Sequence, residues 1–503
     1  MAEPGLTLFL ADEAATERLG DDLAAALRPG DVVALHGDLG AGKTTLARAI
    51  LRSLAADPGL EVPSPTFTLV QAYEARLPVA HFDLYRLAAP DELDELGFDE
   101  ALAGGVALVE WPRRAGDRLP ETAIHVRLTE EGAGRRAAID APGPALARLR
   151  RSLAIRDFLG RAGWGNARRE FLLGDASTRA YETVSVADQP PRILMNAPRQ
   201  PDGPPIRDGK PYSRIAKLAE SVTPFVAVGK ALKGAGFAAP DIYAADLDAG
   251  LLLIEHLGTG NFLDDGAPVA ERYRAAGELL ADLHAVRWDP EMPAAPGVVH
   301  RVPPYDREAM GMETELLLDW YVPRERGRRA NEAERALFRD AWGAVFDVLT
   351  DAETSLVLRD YHSPNLIWRP ERTGRDRLGV IDFQDALIGP AAYDVASLAM
   401  DARVTIPPAL EADTVAAYCA ARQARGSFDP ARFARDYAIM AAQRNSKILG
   451  IFVRLNDRDG KPHYLKHLPR IRDYLSRALA HPALAPVREA YRKLGIVGGG
   501  SSA

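Results

Sequence analysis

The stretch Asp31-Val-Val-Ala-Leu-His-Gly-Asp-Leu-Gly-Ala-Gly-Lys-Thr44 decides the fold of the first part of this chain. Its apolar half predicts a buried strand, and its second half fits the pattern G-x-x-x-x-G-K-[ST] at every fixed position. In such a loop, backbone N–H groups point at phosphate oxygens, and the next helix presents its positive end to them. The order strand, loop, helix therefore predicts a phosphate-binding loop in an α/β domain. The alternative is a glycine-rich turn followed by an incidental lysine.

The side chains of this loop predict a site for a nucleotide and Mg²⁺. Lys43 is expected to reach the terminal phosphates, and the Thr44 hydroxyl is expected to ligate the metal. The predicted nucleotide-binding residues are Gly37, Gly40, Ala41, Gly42, Lys43, Thr44 and Thr45. Nucleotide-bound Mg²⁺ usually needs a nearby carboxylate, and Asp83 and Glu110 each follow a short apolar run that reads as a strand. Either acid could instead be an ordinary solvated loop residue.

A second set of polar residues lies near the other end of the chain. The stretch Leu358-Arg-Asp-Tyr-His-Ser-Pro-Asn-Leu-Ile-Trp368 is followed by Gly379-Val-Ile-Asp-Phe-Gln-Asp385. Asp360 and Asn365 have the five-residue offset of a kinase catalytic loop. In that arrangement Asp360 orients the attacking hydroxyl, while Asn365 and the strand-end Asp382 hold Mg²⁺ between the phosphates. Single Asp or Asn residues more often cap turns, but the ordered trio favours a kinase-like site.

The residues upstream of this trio predict the rest of a kinase nucleotide site. Gly174 and Ser177 lie in a glycine turn suited to phosphate contact, and the backbone around Glu255 and Leu257 is expected to contact adenine. A kinase normally has a phosphate-binding lysine on the strand where this chain has Met195. Arg179, Lys217 or another base could replace it, or backbone and Mg²⁺ could suffice.

Length and composition indicate several folded domains. The chain has 503 residues, of which 47% are hydrophobic and 26% charged, as in an ordinary soluble globular protein. Its single cysteine cannot form an internal disulfide, its first residues are acidic, and no apolar run reaches the ~20 residues of a membrane span. We therefore expect a cytoplasmic protein with no membrane contact.

Charge is unevenly distributed along the chain. Residues 1–150 carry a net charge of -9, whereas the remainder carries +1. An acidic domain is a poor direct ligand for a phosphate backbone. If the first domain serves a nucleic acid, we expect it to act through a protein partner.

The predicted fold is a three-layer α/β domain of the P-loop NTPase type, followed by a bilobal α+β domain of the protein-kinase type. We place the first domain at residues 1–142, a linker at 143–152 and the second domain at 153–495. Its N-lobe is expected at about 153–258 and its C-lobe at about 259–495, with a flexible tail at 496–503. The glycines and prolines between residues 130 and 144 mark the boundary.

Three motifs after the phosphate loop carry a family resemblance. Ser64-Pro-Thr-Phe-Thr-Leu69, His81-Phe-Asp-Leu-Tyr-Arg86 and Leu108-Val-Glu-Trp-Pro112 resemble the TsaE (YjeE) family over about residues 8–140. The resemblance implies a weak ATPase of the machinery that makes N6-threonylcarbamoyladenosine in tRNA, acting with TsaD and TsaB. It also implies a role for each matching residue: Lys43 and Thr44 in phosphate and Mg²⁺ binding, Thr66 in a switch-like segment, Asp83 as a catalytic or metal-side acid, Glu110 as the metal acid and Trp111 at the nucleotide edge.

The second part resembles the aminoglycoside phosphotransferase (APH) superfamily, and within it the AmgK-like anomeric sugar kinases. The resemblance covers about residues 150–490 and is carried by residues 174–182, 194–198, 304–308, 359–365, 381–385 and 389–394. It implies transfer of the ATP γ-phosphoryl group to the anomeric hydroxyl of N-acetylmuramate or N-acetylglucosamine. Choline, homoserine or an aminoglycoside is the alternative acceptor, and a non-catalytic pseudokinase scaffold is the alternative of another class.

The residues that would contact an amino sugar are less clearly marked. Polar and aromatic side chains suited to one are Tyr305, Asp306, Glu313, Asp319, Trp320, Arg444, Asn445 and Lys447. The alternative is that they form the solvated face of amphipathic helices. His362, beside Asp360, reads as a hydrogen-bonded structural group and not as a metal ligand.

Overall fold

The computed structural model describes residues 5–172 and 179–497. The chain divides into two compact units, Met1–Ala197 with Tyr243–His256, and Pro198–Ile242 with Leu257–Ala503. Up to residue 161 the elements are β1 (Leu6–Leu10), α1 (Glu13–Ala26), β2 (Val32–His36), α2 (Lys43–Ala55), β3 (Val70–Tyr73), β4 (Val79–Asp83), α3 (Glu92–Glu95), α4 (Phe98–Leu102), β5 (Val106–Glu110), β6 (Ile124–Glu131), β7 (Gly134–Asp140) and α5 (Gly143–Arg161).

These first strands form a seven-stranded sheet in the order β1-β7-β6-β2-β5-β4-β3. Strand β2 lies between β5 and β6 and is parallel to both, and β4 is parallel to β5. Side chains of β2 alternate between two apolar layers: Val33 and Leu35 pack with α1 and α2, while Val32 packs with α3 and α4. The predicted three-layer α/β class is therefore confirmed.

The parallel arrangement of β2, β4 and β5 brings their carboxyl ends to one edge of this sheet. The ends of β2, β4 and β5 lie side by side, with Asp83 in register with Glu110 and Leu35 opposite Glu110. Ligands of open α/β sheets bind at this carboxyl edge. The phosphate loop, which follows β2, and both predicted acids are thus assembled at one place.

The next elements contain a second, five-stranded sheet. They are β8 (Arg168–Leu172), β9 (Ala180–Ser185), β10 (Arg192–Asn196), β11 (Pro205–Arg207), β12 (Lys210–Pro211), α6 (Tyr212–Ile215), α7 (Thr223–Gly234), β13 (Ile242–Asp246) and β14 (Leu251–Glu255). The sheet has the order β13-β14-β10-β9-β8, and β10 is antiparallel to both β9 and β14. Apolar side chains of α5, among them Ile155, Phe158 and Leu159, pack against it.

Residues 143–152, where the sequence predicts a linker, are the first half of α5. The helix extends through them because Leu146, Leu149 and Ser152 are buried on one of its faces. The placement of the domain boundaries remains a prediction.

The second compact unit is mainly helical. Its further elements are β15 (Leu263–Asp264), β16 (Ala267–Pro268), α8 (Ala270–Ala285), β17 (Glu291–Ala295), β18 (Val298–Arg301), α9 (Arg307–Leu316), α10 (Val322–Arg326), α11 (Glu332–Val348), β19 (Thr354–Val357), β20 (Leu366–Trp368), β21 (Leu378–Val380), β22 (Leu387–Pro390), α12 (Ala392–Ala399), α13 (Pro408–Arg425), α14 (Pro430–Asp457), α15 (Leu468–Ala478) and α16 (Ala485–Lys493). A π-helical turn, Leu317–Tyr321, joins α9 to α10.

Two short hairpin-like pairs position the predicted kinase residues within this unit. Strand β19 pairs with β22 and β20 pairs with β21, both antiparallel. The segment between β19 and β20 carries Asp360, and Asp382 follows β21. Across the described ranges, we find no helix with both the length and the apolar character that crossing a membrane requires.

Candidate active sites

The phosphate loop has the backbone conformation that its glycines allow. Gly42 caps α2 at φ 101° and Gly37 lies at φ 144°, both in the region that side chains rarely adopt. A Cβ at Gly37 would lie 2.7 Å from the Leu128 carbonyl oxygen and 2.9 Å from the Ala41 Cβ. The loop therefore accepts only glycine at this position.

Lys43 is folded back over this loop. Its Nζ donates to the carbonyl oxygens of Gly37 (2.8 Å) and Asp38 (2.9 Å) and lies 3.9 Å from the ring centroid of Trp111. Burial lowers the pKa of Lys43, while nearby Glu110 acts in the opposite direction. The ammonium group is thus held within the loop that would surround the phosphates.

Glu110 joins the loop to the neighbouring strands. It accepts a hydrogen bond from the Thr44 hydroxyl (3.0 Å), and its other oxygen lies 3.0 Å from Nε2 of His81. His81 is fully buried, so its ring fixes the orientation of the carboxylate. A hydroxyl and a carboxylate oxygen in contact are a donor set that Mg²⁺ prefers.

Asp83 forms the second acidic group of this edge. Its Oδ2 accepts from the hydroxyls of Ser64 (2.7 Å) and Thr66 (2.9 Å), and its Oδ1 accepts from the backbone N–H of Tyr85 (3.1 Å). The resemblance placed Thr66 in a switch-like segment, and here that segment is bonded directly to Asp83. A change in the segment would therefore change the position of the carboxylate.

A cleft of about 660 Å³ opens beside the loop. Its lining includes residues 36–39 of the loop region, Trp111 and Arg127. Burial lowers the pKa of His36 to about 4, with further lowering by His125 and Arg127, so His36 is neutral at pH 7. The glycine conformation, the lysine, the hydroxyl–carboxylate pair and this cleft together fit a nucleoside triphosphate with Mg²⁺.

The predicted kinase trio comes together in the second unit. The Asn365 side-chain N–H group donates to the Asp360 carbonyl oxygen (2.9 Å) and to Asp382 Oδ2 (3.4 Å), and Gln384 donates to Asp382 Oδ1 (2.8 Å). Asp382 follows two residues after the end of β21 and has a backbone φ of 60°. Burial raises the pKa of Asp360, but the charges of His362 and other neighbours outweigh it and leave the pKa below its usual value. The trio fits Mg²⁺ by its carboxylate and amide groups.

Helix α12 holds the segment that carries Asp360. Asp394 accepts from the backbone N–H groups of Leu358 (2.6 Å) and Arg359 (2.9 Å). Arg359 has φ 68°, and Asp360 follows it directly. Asp394 therefore fixes the backbone from which Asp360 projects.

Three of the predicted sugar-binding residues form a buried cluster that we call the Glu313 cluster: Tyr305, Glu313 and Lys447, together with Arg359 and Gln443. Glu313 is fully buried and is bonded to Lys447 Nζ (2.8 Å), Gln443 Nε2 (3.0 Å), the Tyr305 hydroxyl and the Arg359 guanidinium. Every bond described for Glu313 is to another side chain of the protein. Lys447 also lies 3.2 Å from the Tyr393 hydroxyl.

The other predicted sugar residues have contacts outside the Glu313 cluster, and Arg444 is close enough to Asp360 to lower the pKa of its carboxyl group. Asp306 caps α9 and pairs with Lys217 (3.2 Å), and Asp319 pairs with Arg335 (2.7 Å) at the surface. Arg444 and Asn445 are buried on α14, where Arg444 donates to the Met400 carbonyl oxygen (3.4 Å) and Asn445 to the Ala441 carbonyl oxygen (2.8 Å). Trp320 is half-buried in the π-helical turn.

The upper part of the predicted kinase nucleotide site is only partly described. Gly174 and Ser177 lie outside the described residues. Glu255, at the end of β14, belongs to the first compact unit and Leu257 to the second. Met195 is buried on β10, opposite Tyr181.

Several residues of these sites were not predicted from the sequence. Ser64 and His81 lie in the quoted motifs, but their bonds to Asp83 and Glu110 appear only when the strands are aligned. Arg359 and Asp394 could have been suspected from their place in the motifs around Asp360. Nothing local in the sequence marks Gln443.

The folds and sites define a P-loop nucleotide-binding domain joined to a kinase-like phosphotransferase domain. Residues 10–138 match the family model of the threonylcarbamoyl adenosine biosynthesis protein TsaE, and residues 168–433 match that of the phosphotransferase enzyme family (APH). The chain belongs to both families, through its N-terminal and C-terminal parts respectively. It is an enzyme of two ATP-using families, as predicted.

Relatives of each part are known separately. An N-acetylmuramate/N-acetylglucosamine kinase of Caulobacter vibrioides is 37% identical over 350 residues, which cover 67% of this chain and 95% of that protein. A kinase with the same description from Pseudomonas putida is 34% identical over 55% of this chain and 78% of that protein. A tRNA threonylcarbamoyladenosine biosynthesis protein TsaE of Rickettsia felis is 43% identical over 24% of this chain and 71% of that protein.

Proposed function

We propose that the N-terminal domain is a Mg²⁺-dependent ATPase that supports N6-threonylcarbamoyladenosine synthesis in tRNA. The observation that carries this proposal is the joint hydrogen bonding of Thr44 to Glu110 and of the 64–66 segment to Asp83. The Rickettsia relative supports the pathway. The partners would be TsaD and TsaB, in the cytoplasm, and the net charge of -9 in residues 1–150 favours protein partners over direct tRNA contact.

The residues of this site have separable roles. Lys43 would exchange the Gly37 and Asp38 carbonyl oxygens for phosphate oxygens, and Thr44 and Glu110 would hold Mg²⁺. ATP supplies the phosphoanhydride bond. Asp83 would orient the attacking water, and its position would depend on the switch-like segment. Such dependence gives a partner protein a means of controlling hydrolysis.

A reconstituted tRNA modification assay tests this proposal. We expect Lys43→Ala to abolish support of modification, because the loop loses its phosphate-binding charge. Arg136→Gln, which removes an exposed ion pair of β7, is the matched control and should retain support. Full support by Lys43→Ala would refute the proposal.

We further propose that the C-terminal domain transfers the ATP γ-phosphoryl group to the anomeric hydroxyl of N-acetylmuramate and N-acetylglucosamine. The observation that carries this proposal is the hydrogen bonding among Asp360, Asn365 and Asp382. The substrates named for the relatives support an amino sugar as the acceptor. Asp360 would orient the sugar hydroxyl and accept its proton. Asn365 and Asp382 would hold Mg²⁺ against the phosphates. The adenine would lie near residues 255–257, and Gly174 and Ser177 would contact phosphate.

Incubation of the purified chain with ATP and each candidate sugar tests the acceptor, with the anomeric phosphate detected by NMR. If only choline, homoserine or an aminoglycoside is phosphorylated, the proposed sugar acceptor is wrong. Nucleotide binding without phosphoryl transfer to any of these compounds would favour a non-catalytic scaffold. This alternative is specific because Met195, an apolar residue, occupies the position of the usual phosphate-binding lysine.

A further inference from the structure

A buried arginine connects the five-stranded sheet of the first compact unit to helix α1. Arg169, on β8 of the five-stranded sheet, has a side chain only 1% exposed. Its guanidinium pairs with Glu182 of β9 through Nε (2.6 Å) and Nη2 (2.8 Å). Its third nitrogen donates to Asp22 Oδ1 (2.8 Å) and to Ser152 (3.0 Å).

Asp22 belongs to the ATPase domain, on the opposite side of the contact from Arg169. It lies on α1, which packs on the seven-stranded sheet, and its side chain is 5% exposed. Besides Arg169 it accepts from Arg156 of α5 through Nε (3.0 Å) and Nη2 (2.8 Å). One carboxylate of the ATPase domain thus faces two arginines of the elements that follow it.

Helix α5 makes contacts with both sheets. Arg148 pairs with Asp31, next to β2, at 2.6 Å and donates to the Ala26 carbonyl oxygen. Three residues later, Arg151 donates to Asn196 (2.6 Å) at the end of β10 and to the Ala249 carbonyl oxygen (2.8 Å). The helix therefore belongs to neither domain alone.

The charges of these side chains determine the effect of removing any one of them. The buried Arg169 and the largely buried Arg156 face two buried carboxylates, Asp22 and Glu182, and Asp21 is a further acid close to Arg156. A buried pair is strongly destabilised when one partner is removed, because the remaining charge stays out of water. Without Asp22, Arg156 loses its bonded carboxylate and keeps only the nearby Asp21, while Arg169 keeps only Glu182.

We propose that the α1 face of the ATPase domain is the docking surface of the five-stranded sheet, and that Asp22 is a positioning residue for that sheet. The ATPase domain is thereby a structural part of the phosphotransferase and not a separate neighbour. The consequence for phosphoryl transfer rests on the proposed kinase function, but the docking itself does not.

Hydrogen exchange of the full chain tests the docking without any activity. In Asp22→Asn we expect the amides of β8 and β9 to exchange about 100-fold faster, since a buried ion pair is lost locally. The amides of β6 should keep their protection. Glu131→Gln is the matched control, because it removes an exposed ion pair with Arg136 in the same domain. Unchanged β8 and β9 protection in Asp22→Asn would overturn the proposal.

A milder variant and a kinetic measurement complete the test. Should Asp22→Asn be insoluble, Arg156→Gln removes one of the two arginines and should still accelerate exchange in β8, where unchanged exchange would equally overturn the docking. Because β8 and β9 belong to the same sheet as β14, whose end at Glu255 is the proposed adenine contact, we expect Asp22→Asn to raise the KM for ATP in sugar phosphorylation about tenfold, with an unchanged KM for the sugar. Absence of kinase activity in the wild-type chain would refute the proposed function and leave the exchange result standing.

Discussion

Neutralising Glu313 is the most demanding test of how the kinase site is built. The Glu313 cluster places one carboxylate against Arg359, which precedes Asp360, and against Lys447 of α14. Glu313→Gln keeps the size of the side chain and its ability to bond Gln443, but it removes the negative charge. Lys447 would then lack its bonded carboxylate, and Arg359 would keep only the nearby Asp385.

The size of the effect follows from the pKa of this group. Burial alone would raise the pKa of Glu313, but the charges of Lys447 and Arg359 hold it at about 2, below the ordinary value of 4.5. One pKa unit corresponds to about 1.36 kcal/mol, so ionised Glu313 contributes about 3 kcal/mol to folding. The cost of breaking a buried pair, about 3–5 kcal/mol, gives the same range.

The sign of the pH dependence is also fixed. Because the folded-state pKa lies below the unfolded value, the stabilisation is fully present above pH 4.5 and is lost as the pH falls towards 2. Glu313→Gln should therefore lose stability at pH 7 and show a smaller further loss between pH 5 and 3 than the wild-type chain.

Urea unfolding followed by tryptophan fluorescence measures this loss. The second compact unit contains Trp288, Trp320, Trp342 and Trp368, so the signal reports mainly on that unit. Glu489→Gln is the control, because its pair with Arg492 is exposed and screened by water, so its loss should leave the unfolding curve almost unchanged. A Glu313→Gln variant within about 1 kcal/mol of the wild type would refute the charge argument.

Three further outcomes are expected. Asp360→Asn should lower sugar phosphorylation by about 1000-fold or more while the chain stays folded by circular dichroism, and a smaller loss in steady-state kinetics would contradict its role. Lys43→Ala should weaken binding of a nonhydrolysable ATP analogue to the first site by about 100-fold in calorimetry, whereas unchanged affinity would contradict phosphate contact. Gly20→Ala should destabilise the first unit by about 1–3 kcal/mol, because a Cβ there would lie 2.4 Å from the Ala49 Cβ of α2; in Gly160→Ala, where nothing lies within 4 Å, thermal unfolding should be unchanged or later.

Local patterns predicted those parts of the sites that depend on local geometry. The loop that ends at Thr44 is specified by its own glycines, and Asp360 and Asn365 by their spacing. Asp83 and Glu110 were predicted because the carboxyl ends of parallel strands meet at one edge. These are cases in which a few neighbouring residues determine both conformation and chemistry.

Long-range ion pairs escaped prediction for a physical reason. Arg169 and Asp22 are 147 positions apart in the sequence, and Lys447 and Glu313 are 134 apart. A charged residue on a helix normally faces water, so amphipathic spacing gives no sign that it is buried with a partner. The same ambiguity left Glu313 open between a sugar contact and the solvated face of a helix, whereas in the structure it is fully buried and its described bonds are to other side chains.

The predicted linker shows how long-range ion pairs change the interpretation of a chain with two joined domains. A glycine- and proline-rich boundary ordinarily separates domains that fold alone. Here residues 143–152 form half of a helix whose Arg148 bonds Asp31, next to β2, and whose Arg151 bonds Asn196, at the end of β10. Cutting at residue 142 or 152 would expose apolar and ionic surface on both sides. The acceptor of the phosphotransferase is therefore best sought with the whole chain, since a fragment would lose Asp22 together with the ATPase.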